Sequence, residues 1–179
     1  MRIWVDPDRP MTGQASAVAA RAAFGDPAGF ALNDDMNRAP YMALVDDDPQ
    51  SAALLMRTLK ALGSPPLRWF DGAIAGQQDL VSLLADEQAD HPALLVVDLK
   101  SHSEANADFL RDINKLARRA GILMVAMSHS DRPSSRDALL QAGAAAVFLR
   151  HADSDAYRRE AASLLSFWTH SLRPAPVGM

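Results

Sequence analysis

The sequence predicts an α/β fold, a doubly wound parallel sheet of five strands with helices on both faces. Two observations predict it. From Met42 onward, short apolar runs alternate regularly with longer amphipathic segments, which is typical of a parallel sheet covered by helices. Acidic residues follow the first and the third apolar run, where a parallel sheet carries its functional loops. Right-handed crossovers leave few other topologies.

The five strands are expected at apolar runs of strand length, each bounded by turn residues. These runs are residues 42–45, 67–70, 93–97, 122–127 and 145–149. Five segments with apolar residues at helical spacing lie between and after the runs. Asp48 and Pro49 mark the start of the first helix, whereas Gly63, Gly121 and Gly143 stand where helices should end. The strict alternation predicts the flavodoxin-like strand order 2-1-3-4-5.

The chain is expected to divide into three parts. Residues 1–40 form an N-terminal extension without a strand–helix rhythm, and its role is open. Residues 41–168 form the α/β domain, and residues 169–179 form a C-terminal tail. The tail is too short for a DNA-binding domain.

Composition excludes several classes of function. A formal net charge of −4 gives no general attraction to nucleic acid or anionic lipid. There is no cysteine, which excludes disulfides, zinc-thiolate sites and thiol catalysis and agrees with a reducing cytoplasm. No apolar run approaches the roughly 20 residues that span a bilayer. We therefore expect a cytoplasmic protein with neither a membrane segment nor a direct nucleic-acid partner.

Acidic residues close two strands that should be neighbours in the sheet. Asp46, Asp47 and Asp48 end the first strand, and Asp98 ends the third. Carboxylates brought this close repel one another unless a cation lies between them, and oxygen-rich sites suit Mg²⁺. Helix capping is the alternative, and we expect it for Asp48. Capping alone does not explain acids at both strand ends, so the pattern favours a divalent-cation site.

The motifs MALVDDDP, LLVVDLK, AMSHS and AAVFLR together resemble the receiver domain of two-component response regulators. The resemblance implies that Asp46 and Asp47 form the acidic pair that binds Mg²⁺ with Asp98, which is also the phosphoacceptor. It implies that Ser128 is the hydroxyl residue at the end of the fourth strand. Lys100 would offer the metal only its backbone carbonyl, a role that any side chain permits.

The sequence also departs from the family pattern. Arg150 stands where the family usually has Lys, and His151 replaces the following proline. Arginine keeps the charge but replaces a compact ammonium with a planar fork. We expect Arg150 to reach Asp98 in a charge-assisted contact, for which bidentate geometry is available. Val147 occupies the family's aromatic switch position, and Phe148 cannot replace it because neighbouring strand residues face opposite sides of the sheet.

The resemblance implies a phosphoacceptor protein of a two-component phosphorelay. A histidine kinase or phosphotransfer protein would phosphorylate Asp98, and the protein would then act on a downstream effector by contact. Its only chemistry would be its own phosphorylation and dephosphorylation, and the existence of a homodimer is left open. One alternative is a degenerate receiver that serves as a phosphorylation-independent docking module. A metal-dependent phosphohydrolase is less favoured, because the second acid it would need is Lys100.

Overall fold

The computed structural model describes residues 40–72 and 74–172, in which strands and helices alternate along the chain. The strands are β1 (Met42–Asp46), β2 (Leu67–Asp71), β3 (Leu94–Val97), β4 (Leu123–Ser128) and β5 (Ala146–Leu149). The helices are α1 (Pro49–Ala61), α2 (Ile74–Ala85), α3 (Ala105–Arg119), α4 (Pro133–Gln141) and α5 (Ser154–Ser171). The predicted extension 1–40, apart from Pro40, and residues 173–179 of the predicted tail lie outside the described residues.

The five strands form one parallel sheet in the order β2-β1-β3-β4-β5. This confirms the predicted fold class and strand order. β1 and β3 are neighbours near the middle of the sheet, and Val45 of β1 pairs with Val97 of β3. The carboxyl ends of these two strands therefore meet at the same edge of the sheet.

The central strands β1 and β3 are buried between two layers of helices. Alternate strand residues face opposite sides. On one side, Val45 and Val97 belong to a core cluster that includes buried residues of α2, α3 and α4. On the other, Leu44 and Val96 belong to a cluster with buried residues of α1 and α5. Each such apolar side chain contributes about 1.5–3 kcal/mol when it is fully buried, so the central strands hold the site on a rigid base.

Local residues define the ends of the helices around this core. Asp48 caps α1, since its carboxylate accepts hydrogen bonds from the amides of Gln50 and Ser51, and Pro49 occupies the first turn. Gly143 follows α4 with a φ of +117°, a backbone conformation that side chains other than glycine rarely adopt. α5 continues to Ser171, three residues beyond the boundary expected at 168. No helix in the described ranges is long and apolar enough to cross a membrane.

Candidate functional site

Two buried carboxylates lie side by side at the carboxyl edge of the sheet. Because Val45 pairs with Val97, the next residues, Asp46 and Asp98, occupy equivalent positions on neighbouring strands. Their exposed fractions are 0% and 3%. The amide of Asp98 donates to the carbonyl of Val45 at 2.8 Å, which continues the pairing of the strands to this point. The fold thus brings together two acids that lie 52 positions apart in the sequence.

The Lys100 side chain lies between these two carboxylates. Its Nζ is 2.5 Å from Oδ1 of Asp46 and 3.1 Å from Oδ2 of Asp98, and it donates to the Asp98 carbonyl at 2.8 Å. These contacts were not predicted, because any side chain at position 100 would leave the backbone carbonyl available to a metal. A signal was present in the sequence: in an extended segment, residues i and i+2 project to the same side. Lys100 is two positions from Asp98, so its ammonium can fold back onto the carboxylate.

Arg150 provides a second cation at Asp98. Its Nε donates to Oδ1 of Asp98, and its Nη2 donates to the carbonyl of Leu99 at 3.1 Å. The guanidinium is therefore divided between a side chain and the backbone, rather than paired twice with the carboxylate. Ser51 adds a long hydrogen bond from its hydroxyl to Oδ2 of Asp98, at 3.4 Å. Both oxygens of Asp98 thus contact positively charged groups of the chain itself.

Asp47 holds the loop that follows β3. Its Oδ1 and Oδ2 accept from the amide of Lys100 at 2.8 and 2.9 Å, and Oδ2 accepts from the amide of Ser101 at 2.7 Å. The residue after β2 approaches Asp47 so closely that only glycine fits there, because a Cβ on Gly72 would stand 2.6 Å from the Asp47 nitrogen. The carboxylate of Asp47 is half-buried and is directed at backbone N–H groups of this loop.

Ser128 ends β4, as the sequence predicts, but its hydroxyl is engaged locally. Oγ donates to the carbonyl of Ser130 at 2.9 Å and accepts from the Ser130 amide at 3.1 Å. Such short-range bonds are common for serine at a strand end. The amide of Arg150 donates to the Ser128 carbonyl at 2.7 Å, which links β5 to β4 beside the site. The hydroxyl must therefore release the Ser130 carbonyl before it can donate a hydrogen bond elsewhere.

Asn106 fixes the backbone on which the site is built, although no motif of the sequence pointed to it. Its Oδ1 accepts from the Leu99 amide at 2.6 Å and its Nδ2 donates to the Met127 carbonyl at 2.7 Å. The side chain is 9% exposed and bridges the β3–α3 loop to β4. It also borders an open cleft of about 920 Å³ between the β3–α3 and β4–α4 loops, whose wall includes Lys100, Ser128 and Arg150.

The charges of the site act on one another through a poorly solvated interior. Burial raises the pKa of the Asp46 carboxyl, and the negative charge of Asp98 adds to this, while the hydrogen bond from Lys100 and the Asp48 amide oppose it. Tyr157 on α5 also senses these charges. Burial, followed by the fields of Asp98 and Asp46, raises the pKa of its phenol to about 12.

The donor atoms are of the kind that a divalent cation prefers, but they do not converge on one point. Within residues 40–72 and 74–172, no group of three or more acidic or histidine side chains is arranged to hold a metal ion. Oδ2 of Asp46 is buried and has no hydrogen-bond partner among the described residues, so it is one oxygen available to a cation. Asp46 and Asp98 would fit such an ion if the Lys100 ammonium withdrew from between them.

Two neighbouring residues of β5, Val147 and Phe148, face opposite sides of the sheet. Val147 belongs to the core cluster on the α2–α3–α4 side, whereas Phe148 belongs to the cluster on the α1–α5 side. Phe148 packs edge to face against Phe167 of α5, with ring centroids 6.1 Å apart. As the sequence indicates, Phe148 therefore lies on the other side of the sheet from Val147 and cannot act in its place.

No protein-family model and no curated protein sequence matches the chain. Solved structures do match it. The phosphorylated cyanobacterial phytochrome response regulator RcpA has a TM-score of 0.60 at 16% identity, over 77% of this chain and 100% of the other. The Mn²⁺-bound response regulator Rcp1 has a TM-score of 0.59 at 16% identity, over 76% and 100%.

A pilus assembly-related protein of Burkholderia pseudomallei has a TM-score of 0.58 at 15% identity, over 75% of this chain and 92% of the other. The same architecture is therefore also found in a protein that is described by a role other than response regulator. Strand order, strand-end acids and these structures lead to one conclusion. The chain has the fold of a response-regulator receiver domain, as its sequence motifs indicate.

Proposed function

We propose that the protein is a phosphoacceptor of a two-component phosphorelay, phosphorylated on Asp98. The observation that carries the proposal is the position of this carboxylate. Asp98 directly follows β3 and lies beside Asp46 at the carboxyl edge of the sheet, and Arg150, which directly follows β5, contacts it. Ligands of open α/β sheets bind outside this edge, at the switch in strand order. A nucleophile placed there, next to a cation, suits transfer of an anionic group.

In the proposed reaction, a carboxylate oxygen of Asp98 forms a bond to phosphorus while the bond from phosphorus to the donor breaks. The donor would be a phosphohistidine of a histidine kinase or phosphotransfer protein, whose ring nitrogen takes back the electron pair. Arg150 would turn from Asp98 toward the incoming phosphoryl oxygens, a charge-assisted contact that its fork can make. Ser128 would release Ser130 and donate its hydroxyl hydrogen to the phosphoryl group.

A divalent cation, Mg²⁺ in this proposal, would be held by Asp46, Asp47, Asp98 and the backbone carbonyl of Lys100. When bound, it would neutralise negative charge on the phosphoryl oxygens. The state of Asp98 would then pass to a downstream effector by protein contact.

A second function is favoured by a specific observation: both carboxylate oxygens of Asp98 are already paired with the cations Lys100 and Arg150. A receiver held permanently in this state would serve as a docking module that does not depend on phosphorylation. The two functions differ in whether Asp98 ever receives a phosphoryl group.

Incubation with Mg²⁺ and acetyl phosphate, followed by intact mass measurement, separates them. We expect the wild type to gain the mass of one phosphoryl group and Asp98→Asn to gain none. Asp131→Asn removes an exposed aspartate at the rim of the cleft and is the matched control, which should be phosphorylated like the wild type. Equal incorporation in wild type and Asp98→Asn would contradict the proposal, as would incorporation that chelator does not reduce. No incorporation in any variant would favour the docking module.

A further inference from the structure

The acidic site already contains a cation that belongs to the chain. Asp46, Asp47 and Asp98 carry three negative charges, and Lys100 and Arg150 contribute two positive charges, so the cluster keeps a net charge of only −1. Arg150 stands where receivers usually carry a lysine of the same charge. Lys100 is thus the additional positive charge, and its Nζ contacts an oxygen of each buried carboxylate.

We propose that Lys100 is a resident counter-cation whose ammonium competes with a divalent cation for Asp46 and Asp98. This inference rests on the proposed function, because it concerns the regulation of the same site. A hard divalent ion needs several oxygens at short range around one point. Here Oδ1 of Asp46 and Oδ2 of Asp98 are both taken up by the ammonium. The ion can use these two oxygens together only after Lys100 has left them.

The Lys100 ammonium can move from the two carboxylates into the solvent-filled cleft beside the site. Its side chain is 27% exposed, and the residue lines the open cleft beside the site. A long, flexible lysine can keep its stem in place while its ammonium moves into water. Displacement therefore requires the loss of two ion pairs without rearrangement of the sheet. The competition sets a threshold: the site accepts a divalent ion, and hence a phosphoryl group, only when the ion concentration is high enough to displace Lys100.

The electrostatic balance predicts the direction and size of the effect. A divalent ion bound beside Lys100 would leave the cluster with a net positive charge, whereas the same ion in a Lys100→Met variant would leave it neutral. Removal of one positive charge from a partly buried site at contact distance should tighten divalent-ion binding by about tenfold to a hundredfold. Methionine matches the length of the lysine stem, so the packing of the loop should change little.

The test measures Mn²⁺ binding to the full chain by the loss of the free-ion electron paramagnetic resonance signal, with Mg²⁺ as competitor. We expect Lys100→Met to bind Mn²⁺ at least tenfold more tightly than the wild type. Lys100→Arg keeps the charge and should stay within about threefold of the wild type. Lys115→Met removes an exposed charge of α3 and should also bind like the wild type, which controls for the change in net charge.

If Lys100→Met is less stable than the wild type, thermal melting with and without Mg²⁺ provides a second test. An ion that binds only the folded state raises the melting temperature of the protein. Lys100→Met should show a larger rise on Mg²⁺ addition than the wild type. The inference would be overturned if the wild type and Lys100→Met had equal Mn²⁺ affinities and showed equal rises in melting temperature on Mg²⁺ addition. The proposed function would then still stand. If neither protein bound Mn²⁺ or Mg²⁺, both the inference and the metal-dependent phosphoacceptor proposal would fail.

Discussion

Substitution of Asn106 by alanine should destabilise the fold through the loop that carries the site. The side chain of Asn106 accepts a hydrogen bond from the backbone amide of Leu99 at 2.6 Å and donates one to the carbonyl of Met127 at 2.7 Å. Both bonds are buried. Leu99 lies between Asp98 and Lys100, so its backbone position determines where both charged side chains begin. Alanine leaves one donor and one acceptor without their partner.

The size of the loss follows from these two bonds. A buried polar group that loses its partner costs about 1–3 kcal/mol, so two such groups set an upper range of about 2–6 kcal/mol. Water can enter from the adjoining cleft and replace part of each bond, which favours the lower end of that range. Alanine also gains about 0.5 kcal/mol of helix propensity over asparagine in α3. We expect a net loss of about 2 kcal/mol in the free energy of unfolding.

Urea unfolding measures this loss, and hydrogen exchange at the Leu99 amide localises it. Asp112→Ala, an exposed position of α3, is the matched control for helix propensity and should change the free energy of unfolding by less than about 0.5 kcal/mol. Asn106→Asp keeps an acceptor for the Leu99 amide but cannot donate to Met127, so it separates the two bonds. If Asn106→Ala were as stable as Asp112→Ala, with Leu99 exchange unchanged, the bridge would contribute nothing and the reasoning would be refuted.

Two further predictions concern Tyr157 and Gly72. Burial and the nearby charges raise the pKa of Tyr157 from the usual 10.0 to about 12, so the folded state keeps a proton that the unfolded chain loses. Stability should therefore fall by roughly 1–2 kcal/mol, allowing for partial solvent screening, as the pH rises from about 10 to 12. Tyr157→Phe should lack this loss, and Asp98→Asn should lower the pKa in a tyrosinate absorbance titration; unchanged curves would contradict the assignment. Gly72→Ala should displace Asp47, costing about 1–3 kcal/mol in urea unfolding, and speed exchange of the Ser101 amide; unchanged exchange would show that the loop absorbs the Cβ.

The fold could be predicted because its determinants repeat along the chain. Each strand is a short apolar run and each helix an amphipathic segment, so five local patterns independently support one topology. The meeting of Asp46 and Asp98 could also be predicted, since the carboxyl ends of neighbouring parallel strands share one edge. Neither inference needs the conformation of a side chain. Both depend only on the order and length of the elements.

The contacts of the Lys100 side chain could not be predicted in this way. Lysine has four rotatable side-chain bonds, and its ammonium is as well solvated in water as it is paired with an exposed carboxylate. What decides its position is the depth of Asp46 and Asp98, which are almost fully buried and leave their charges to be balanced by the chain. Burial of individual atoms is a property of the packed structure. The spacing of Lys100 from Asp98 indicated only that contact was feasible.

Ser128 and Arg150 show why the chemistry of this site depends on more than residue identity. The resemblance placed both residues beside Asp98, yet the Ser128 hydroxyl bonds to Ser130 and the Arg150 fork is shared with Leu99. A lysine at position 150 would have no second donor arm in a fixed plane, so it could not hold Asp98 and the Leu99 carbonyl in this way. In the proposed reaction, Arg150 would have to leave the Asp98 carboxylate before it could bind the incoming phosphoryl oxygens. Arg150 thus connects the Asp98 carboxylate to the Leu99 carbonyl, at the start of the β3–α3 loop.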